Sequence, residues 1–270
     1  MMQIYLPLFA AALYMSVLFV PSRLRTLGAS LGLLAWLLHG VTLWGSVFAS
    51  DAIRVGFAVM LSSALWVTVS VYLVENRNFS LEGLKFLLLP PVALATVLPA
   101  LFPGALISLA GKTAMFPWHV TVALLAYGTL TIAAFHAMIM TLQDKHLHKL
   151  RSKPLHPRLS QMIDNLPALM KMEKILFRLI SLGFILLSLT VLSGVVFSEQ
   201  VLGVAFKWDH KTILSLLSWL LFAVLLAGRH WRGWRGKTVL SFTLSGFLTL
   251  MLAYVGSRFV LEVLLHRSLA

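Results

Sequence analysis

"FKWDHKTILSLLSWLL", Phe206 to Leu221, opens on aromatic and charged residues and continues as an apolar run without interruption. A helix written this way starts at the edge of a membrane, so Trp208, Asp209, His210 and Lys211 stand at that edge. The rest of the chain agrees. Over 270 residues 59% are hydrophobic and 11% charged, and the mean hydropathy is +0.90. A globule of this length has no interior large enough to hide so much apolar surface. The chain is therefore an integral membrane protein, and its fold class is all-α.

Runs long enough to cross roughly 30 Å of hydrocarbon fall at residues 4–20, 30–49, 55–74, 84–102, 119–142, 175–197, 211–228 and 238–262. They predict a polytopic bundle of about eight transmembrane helices forming a single domain over residues 1–270. The first run reads as a retained helix, because Met1 to Ile4 carries none of the lysine or arginine of a signal peptide's leading segment. The whole chain's formal net charge is +13, and sixteen of the 22 basic residues fall in or beside the loops after runs 1, 3, 5 and 7. By the positive-inside rule those loops face the cytoplasm, and both termini face the periplasmic or outer side of a bacterial inner membrane. Basicity of this kind points to anionic membrane lipid as a partner, not to nucleic acid. The largest basic segment, residues 143–174, is expected to be a cytoplasmic loop containing a short amphipathic helix on the membrane surface.

Nine histidines and no cysteine set the available chemistry. Thiol relays, thiolate ligands and disulfides are excluded, so a bound metal would be held by His, Met or oxygen. The nine acidic residues avoid the middles of the runs, against a carboxylate cage or a proton-coupled transporter. The histidines sort by depth. His119 and His210 open runs 5 and 7 at the outer side, each beside a tryptophan, Trp118 and Trp208. His266 closes run 8, His39 lies within run 2, and His136 and His230 lie near inner ends. The 17 residues between His119 and His136 rise about 25 Å, so one metal cannot use both.

Two imidazoles from different helix ends, backed by indole faces and flanked by Lys112, Lys207, Lys211 and Arg258, suit a haem at the membrane surface. The competing reading is an interfacial aromatic belt in which Asp209 merely caps the helix and Lys211 snorkels. Arg258, Glu262 and His266 are four apart on the last run and share a face, as an end-of-helix ion pair would. Pro90, Pro91, Pro99 and Pro103 could unwind run 4 to line a site, or only kink it.

Longer motifs narrow the choice. "WHVTVALLAYGTLTIAAF" from Trp118, "LPALMKMEKILFRLISLGFILLSLTVLSGVVF" from Leu166, "WDHKTILSLLSWLLFAVLLAGRHWRGWRGK" from Trp208 and "GFLTLMLAYVGSRFVLEVLL" from Gly246 resemble the cytochrome c assembly protein family. This is the CcsA/CcmC-like group of haem-handling membrane proteins, and the wording is most similar to its HemX/YpjD-like branch. The resemblance implies a haem, expected as haem b, bound at the outer face by two histidines and passed on to c-type cytochromes. It carries His119 over as one axial ligand, Trp208 and Asp209 as the tail of a tryptophan-rich motif, and His230 as an inner-level histidine. For the second axial ligand the branch points to His210 and the broader family to His266. Apart from the resemblance, His39 is an ionisable group within a run, which either hydrogen-bonds across helices or, with His230, serves a second site. The tryptophan loop is short here, "LGVAFKWD", and His210 replaces a proline common after the Asp, which weakens the case for apocytochrome docking more than for haem binding.

No self-contained catalytic constellation is present, and thioether formation would need thiols from a partner such as an apocytochrome c or another assembly subunit. The alternatives are a regulator or scaffold of the haem pathway, an accessory subunit of another membrane protein, and a small-solute transporter.

Overall fold

The computed structural model describes residues 2–49, 52–79, 81–108, 115–149, 166–202 and 208–265. Eight helices follow in the expected order: α1 Met2–Val17, α2 Arg25–Val47, α3 Phe57–Phe79, α4 Lys85–Leu101, α5 Met115–Lys149, α6 Leu169–Leu202, α7 His210–Arg232 and α8 Lys237–Leu264. Seven of them, α2 to α8, are long and apolar enough to cross a membrane. The protein is an all-α, multi-pass membrane protein. Its lipid-facing surface is visible on α6, where Leu182, Ile185, Leu189 and Leu192 are exposed at helical spacing.

The first helix is shorter than its apolar run. Its 16 residues rise about 24 Å, less than the roughly 30 Å of a bilayer core. Buried Lys85 explains where it stops: Nζ donates to the carbonyls of Val17, at 3.4 Å, and Val20, at 3.1 Å, and lies 3.6 Å from Glu82 Oε2. Pro21 then prevents the turn from being resumed.

Within the bundle α5 is central, packed on α3, α6 and α8. Glycine allows two of these contacts. A Cβ on Gly128 would stand 2.5 Å from Val67 of α3, and one on Gly183 of α6 would stand 2.5 Å from Leu130 of α5. Close backbone approach of this kind is how helices associate in lipid, where no hydrophobic force separates protein from solvent. Around α2 the polar groups are paired internally. Trp36 and Trp66 stack with ring centroids 4.9 Å apart, and their indole N–H groups donate to Ser70 Oγ and the Trp36 carbonyl.

One end of the bundle carries an antiparallel three-stranded sheet, β1 Phe48–Ala49, β2 Ala52–Val55 and β3 Ala105–Ser108, with Ile53 opposite Ile107 and Val55 opposite Ala105. Gly104 enters it at φ +74°, where an added Cβ would sit 2.6 Å from the Val55 carbonyl oxygen, so only glycine fits. The opposite end holds most of the basic residues. Here α7 turns into α8 through Gly233 in the left-handed conformation, with Trp234 N–H bonded to the Gly228 carbonyl. Much of the "GWRGK" wording is thus turn chemistry.

One expected boundary moves. Residues 143–149 continue α5 and 169–174 belong to α6, so the segment between spans 5 and 6 is shorter than 143–174; residues 150–165, with the expected surface helix, lie outside the described residues. Of the two courses open to the proline-bearing run 4, unwound or only kinked, α4 takes the helical one from Lys85 to Leu101. Two acids near helix ends each bury one oxygen: α3 continues past residue 74, which brings Glu75 Oε2 into a buried position, and Glu262 Oε1 is buried in α8.

Candidate functional site

The sheet-end halves of α5, α6, α7 and α8 line a partly open cavity of about 500 Å³, within the usual range of roughly 300–1,000 Å³ for small-molecule sites. Phe116, His119 and Tyr127 reach it from α5, Leu187, Thr190 and Gly194 from α6, and Tyr254 and Arg258 from α8. Asp209, Lys211 and Thr212 line it from the start of α7, and Val55 and Ile107 from the sheet.

His119 is oriented by its neighbours. The Ser193 hydroxyl donates to the Thr190 carbonyl at 3.1 Å, so its oxygen accepts from His119 Nδ1–H at 2.9 Å. In a neutral imidazole the lone pair then lies on Nε2. Metal-ligating histidines are commonly held through the other ring nitrogen in this way. Gly194 keeps space beside the ring, since a Cβ there would come within 3.3 Å of His119 Cε1.

Two cations lie against one aromatic ring at the cavity. Lys211 Nζ and Arg258 Cζ each lie 5.7 Å from the centroid of the Tyr254 ring. Arg258 Nη1 is 4.0 Å from Glu262 Oε1, the ion pair expected from the i, i+4 spacing, while Arg258 Nε is buried without a hydrogen-bond partner. The other Glu262 oxygen accepts from the N–H of Phe57, the first residue of α3, at 3.3 Å. Along this stretch α8 widens into π-helical turns at Leu252–Gly256 and Val260–Leu264, a distortion that concentrates at functional sites.

The opening tetrad can now be explained. Asp209 is the N-cap of α7, its Oδ1 accepting from Thr212 N–H at 2.9 Å and Thr212 Oγ1 at 3.0 Å. Burial alone would raise its carboxyl, but those hydrogen bonds and the nearby Lys211 and His210 outweigh it and hold the group below the ordinary carboxylate range. The stabilisation is therefore present above the unfolded-state value and is lost as pH falls through the folded one. Asp209→Ala is expected to cost about 1 kcal/mol in thermal unfolding at neutral pH, and this difference from wild type should shrink in acid.

Of the other sequence candidates, Trp118, Trp208 and His210 are exposed, and His210 does not line the cavity although its neighbours on both sides do. His230 is exposed at the far end of α7. His39 is fully buried among α1 to α4, with Nε2 2.9 Å from Ser62 Oγ and Nδ1 3.3 Å from the Tyr14 hydroxyl and 3.4 Å from Thr96 Oγ1. Both its nitrogens are engaged by protein. His266, Lys112 and Lys207 lie outside the described residues.

The family model for cytochrome c assembly proteins matches residues 24–265, spanning every element of this cavity. The chain belongs to the cytochrome c assembly protein family. Its relatives include the inner membrane protein YpjD of Escherichia coli (strain K12), 29% identical over 206 residues covering 76% of this chain and 73% of the relative. Cytochrome c biogenesis protein CcsA of Chlamydomonas reinhardtii is 33% identical over 144 residues, 53% of this chain and 38% of that protein. CcsA of Guillardia theta is 26% identical over 226 residues, covering 80% of this chain and 69% of that protein.

Ser193, Thr190, Tyr127 and Tyr254 were not singled out by sequence reasoning. A signal existed in part: Tyr127 and Tyr254 are phenols within apolar runs and require a partner. Tyr127 finds one in the Leu250 carbonyl at 2.9 Å, just before the first π-helical turn.

Proposed function

We propose that this protein works in cytochrome c biogenesis in the bacterial inner membrane, holding haem b in the sheet-end cavity with His119 as one axial ligand. The single observation that carries this reading is His119 itself, held through Nδ1 by Ser193 at the wall of a largely apolar cavity, in a chain of the cytochrome c assembly family. The residues present fit the group. Apolar side chains from four helices suit a porphyrin, and Lys211 and Arg258 suit its carboxylates, Arg258 with a buried Nε that lacks a partner. Bound haem would supply iron for imidazole ligation and the porphyrin to be attached to a cytochrome.

The protein's own part is to bind, orient and release. Ser193 fixes the His119 tautomer, the aromatic and aliphatic walls offer an apolar surface to the porphyrin, and the two cations receive anionic groups. The charge distribution supports placing this end at the periplasmic side, since sixteen of 22 basic residues fall in or near the opposite loops. An apocytochrome or assembly partner would receive the haem there. The second axial ligand is His210, which stands between the cavity-lining Asp209 and Lys211, or His266.

Haem content by pyridine haemochrome on detergent-purified protein tests this. Wild type is expected to carry haem b with a low-spin spectrum, and one of His210→Ala and His266→Ala, but not both, should turn it high-spin. Protein that stays colourless when haem is supplied during expression would favour a regulator or scaffold of the pathway.

A further inference from the structure

Six buried side-chain atoms among the described residues lack a hydrogen-bond partner, and four of them belong to Glu75, Asn76, His136 and Gln143, toward the basic ends of α3 and α5. His136 is 0% exposed, and its Nδ1 lies 3.1 Å from the Ile132 carbonyl one turn earlier. A carbonyl oxygen only accepts, so Nδ1 carries the hydrogen and a neutral ring has its lone pair on Nε2. That nitrogen is 3.5 Å from Glu75 Oε2. An ionised carboxylate oxygen also only accepts. Two buried acceptors therefore face each other across α3 and α5 with no donor between them, an arrangement that is costly unless one is supplied.

We propose that Glu75 and His136 form a proton-binding site that joins α3 to α5, holding one proton between carboxyl and imidazole. The proton sits on Oε2 and is donated to Nε2, or on Nε2 and is donated to Oε2; either satisfies both atoms. Uptake takes one proton from water at the basic end, changes the charge of the pair from −1 to 0 and alters no other bond. The site lies about 25 Å along α5 from His119, so it is separate from the cavity. Among the described residues it is not part of any group of three or more His, Cys, Asp or Glu that could hold a metal ion.

The surrounding groups leave this role to the proton. On α3 the Asn76 amide donates to Glu82 Oε1 at 3.3 Å, and on α5 Gln143 donates to the Pro167 carbonyl at 3.1 Å. From α6, Arg178 is the cation whose field reaches Glu75, but it is exposed and screened by water and salt. No described side chain donates to either facing atom.

The test is nitrogen-15 NMR of histidine-labelled full-length protein in lipid, with His136 assigned by difference against His136→Gln. Infrared difference spectra between wild type and Glu75→Gln at neutral pH accompany it. A carboxylic acid band that vanishes in Glu75→Gln, with His136 Nε2 accepting a hydrogen bond, supports the site. So does a doubly protonated His136 ring without that band. A bare Nε2 beside an ionised carboxylate overturns it. Stability gives an independent reading, because Gln supplies an N–H to Nε2 and keeps the contact. Wild type should lose thermal stability as rising pH strips the shared proton, and Glu75→Gln should not; the two falling together also overturns the proposal.

Discussion

Gly128→Leu is expected to yield a protein that fails to hold its bundle, losing more than about 3 kcal/mol through overpacking that the helices cannot relieve. The first added carbon alone would lie 2.5 Å from Val67 Cβ and Cγ1 and 2.9 Å from the Ala64 carbonyl oxygen. Those are backbone and near-backbone atoms of α3, so no rotamer change clears the space. Separating α3 from α5 would also break the bond from Thr68 Oγ1 to the Gly128 carbonyl, 3.0 Å in the native packing, worth roughly 0.6 kcal/mol in a membrane interior. Because α5 also packs on α6 and α8, the displacement would reach the cavity walls. The control is Gly45→Leu, at an exposed α2 position with nothing within 4 Å of the added carbon. Thermal unfolding in detergent with size-exclusion profiles reads the difference, and equal midpoints for the two variants would contradict the packing described for α3 and α5.

The second large effect concerns His119. His119→Ala is expected to remove bound haem while leaving the fold intact, because the ring is bonded to Ser193 and adjoins a cavity instead of filling the core. Ser193→Ala should fall between the two. It keeps the ligand but loses the group that selects its tautomer, and outer partners of this kind are worth about 10- to 100-fold in affinity. Haem retained per protein after washing, compared across the three proteins, measures both. Retention in Ser193→Ala equal to wild type would show that the 2.9 Å contact does not orient the ligand.

The apolar runs made the bundle legible because eight stretches of such hydropathy have few alternatives to crossing a bilayer. Their ends were less legible. Lys85 stops α1 from 65 residues and more away in sequence, and α3 continues beyond its apolar run because Glu75 and Asn76 find neighbours inside the protein. The sheet was not foreseen. Four-residue strands such as Ala52–Val55 and Ala105–Ser108 give too little alternation to notice within so apolar a chain, and their pairing is long-range. At the site, His119, Asp209 and Lys211 could be read from their place at helix ends and Arg258 from its charge within the last run, and the cavity is lined by all four. Ser193 could not, because a serine in an apolar helix gives no sign of which residue another helix will bring to it. His39 was conspicuous for the opposite reason: an ionisable group in a span attracts a functional reading, and its three hydroxyl neighbours become evident only after α1, α3 and α4 have packed round it.

The most direct measurement is the absorption spectrum of His119→Gly, purified with haem supplied, with and without added imidazole. The expected result is loss of the low-spin wild-type spectrum and its return when imidazole enters the space the side chain vacated. A low-spin spectrum that persists unchanged in His119→Gly without imidazole would mean that the haem is held elsewhere and would contradict the assignment of the sheet-end cavity.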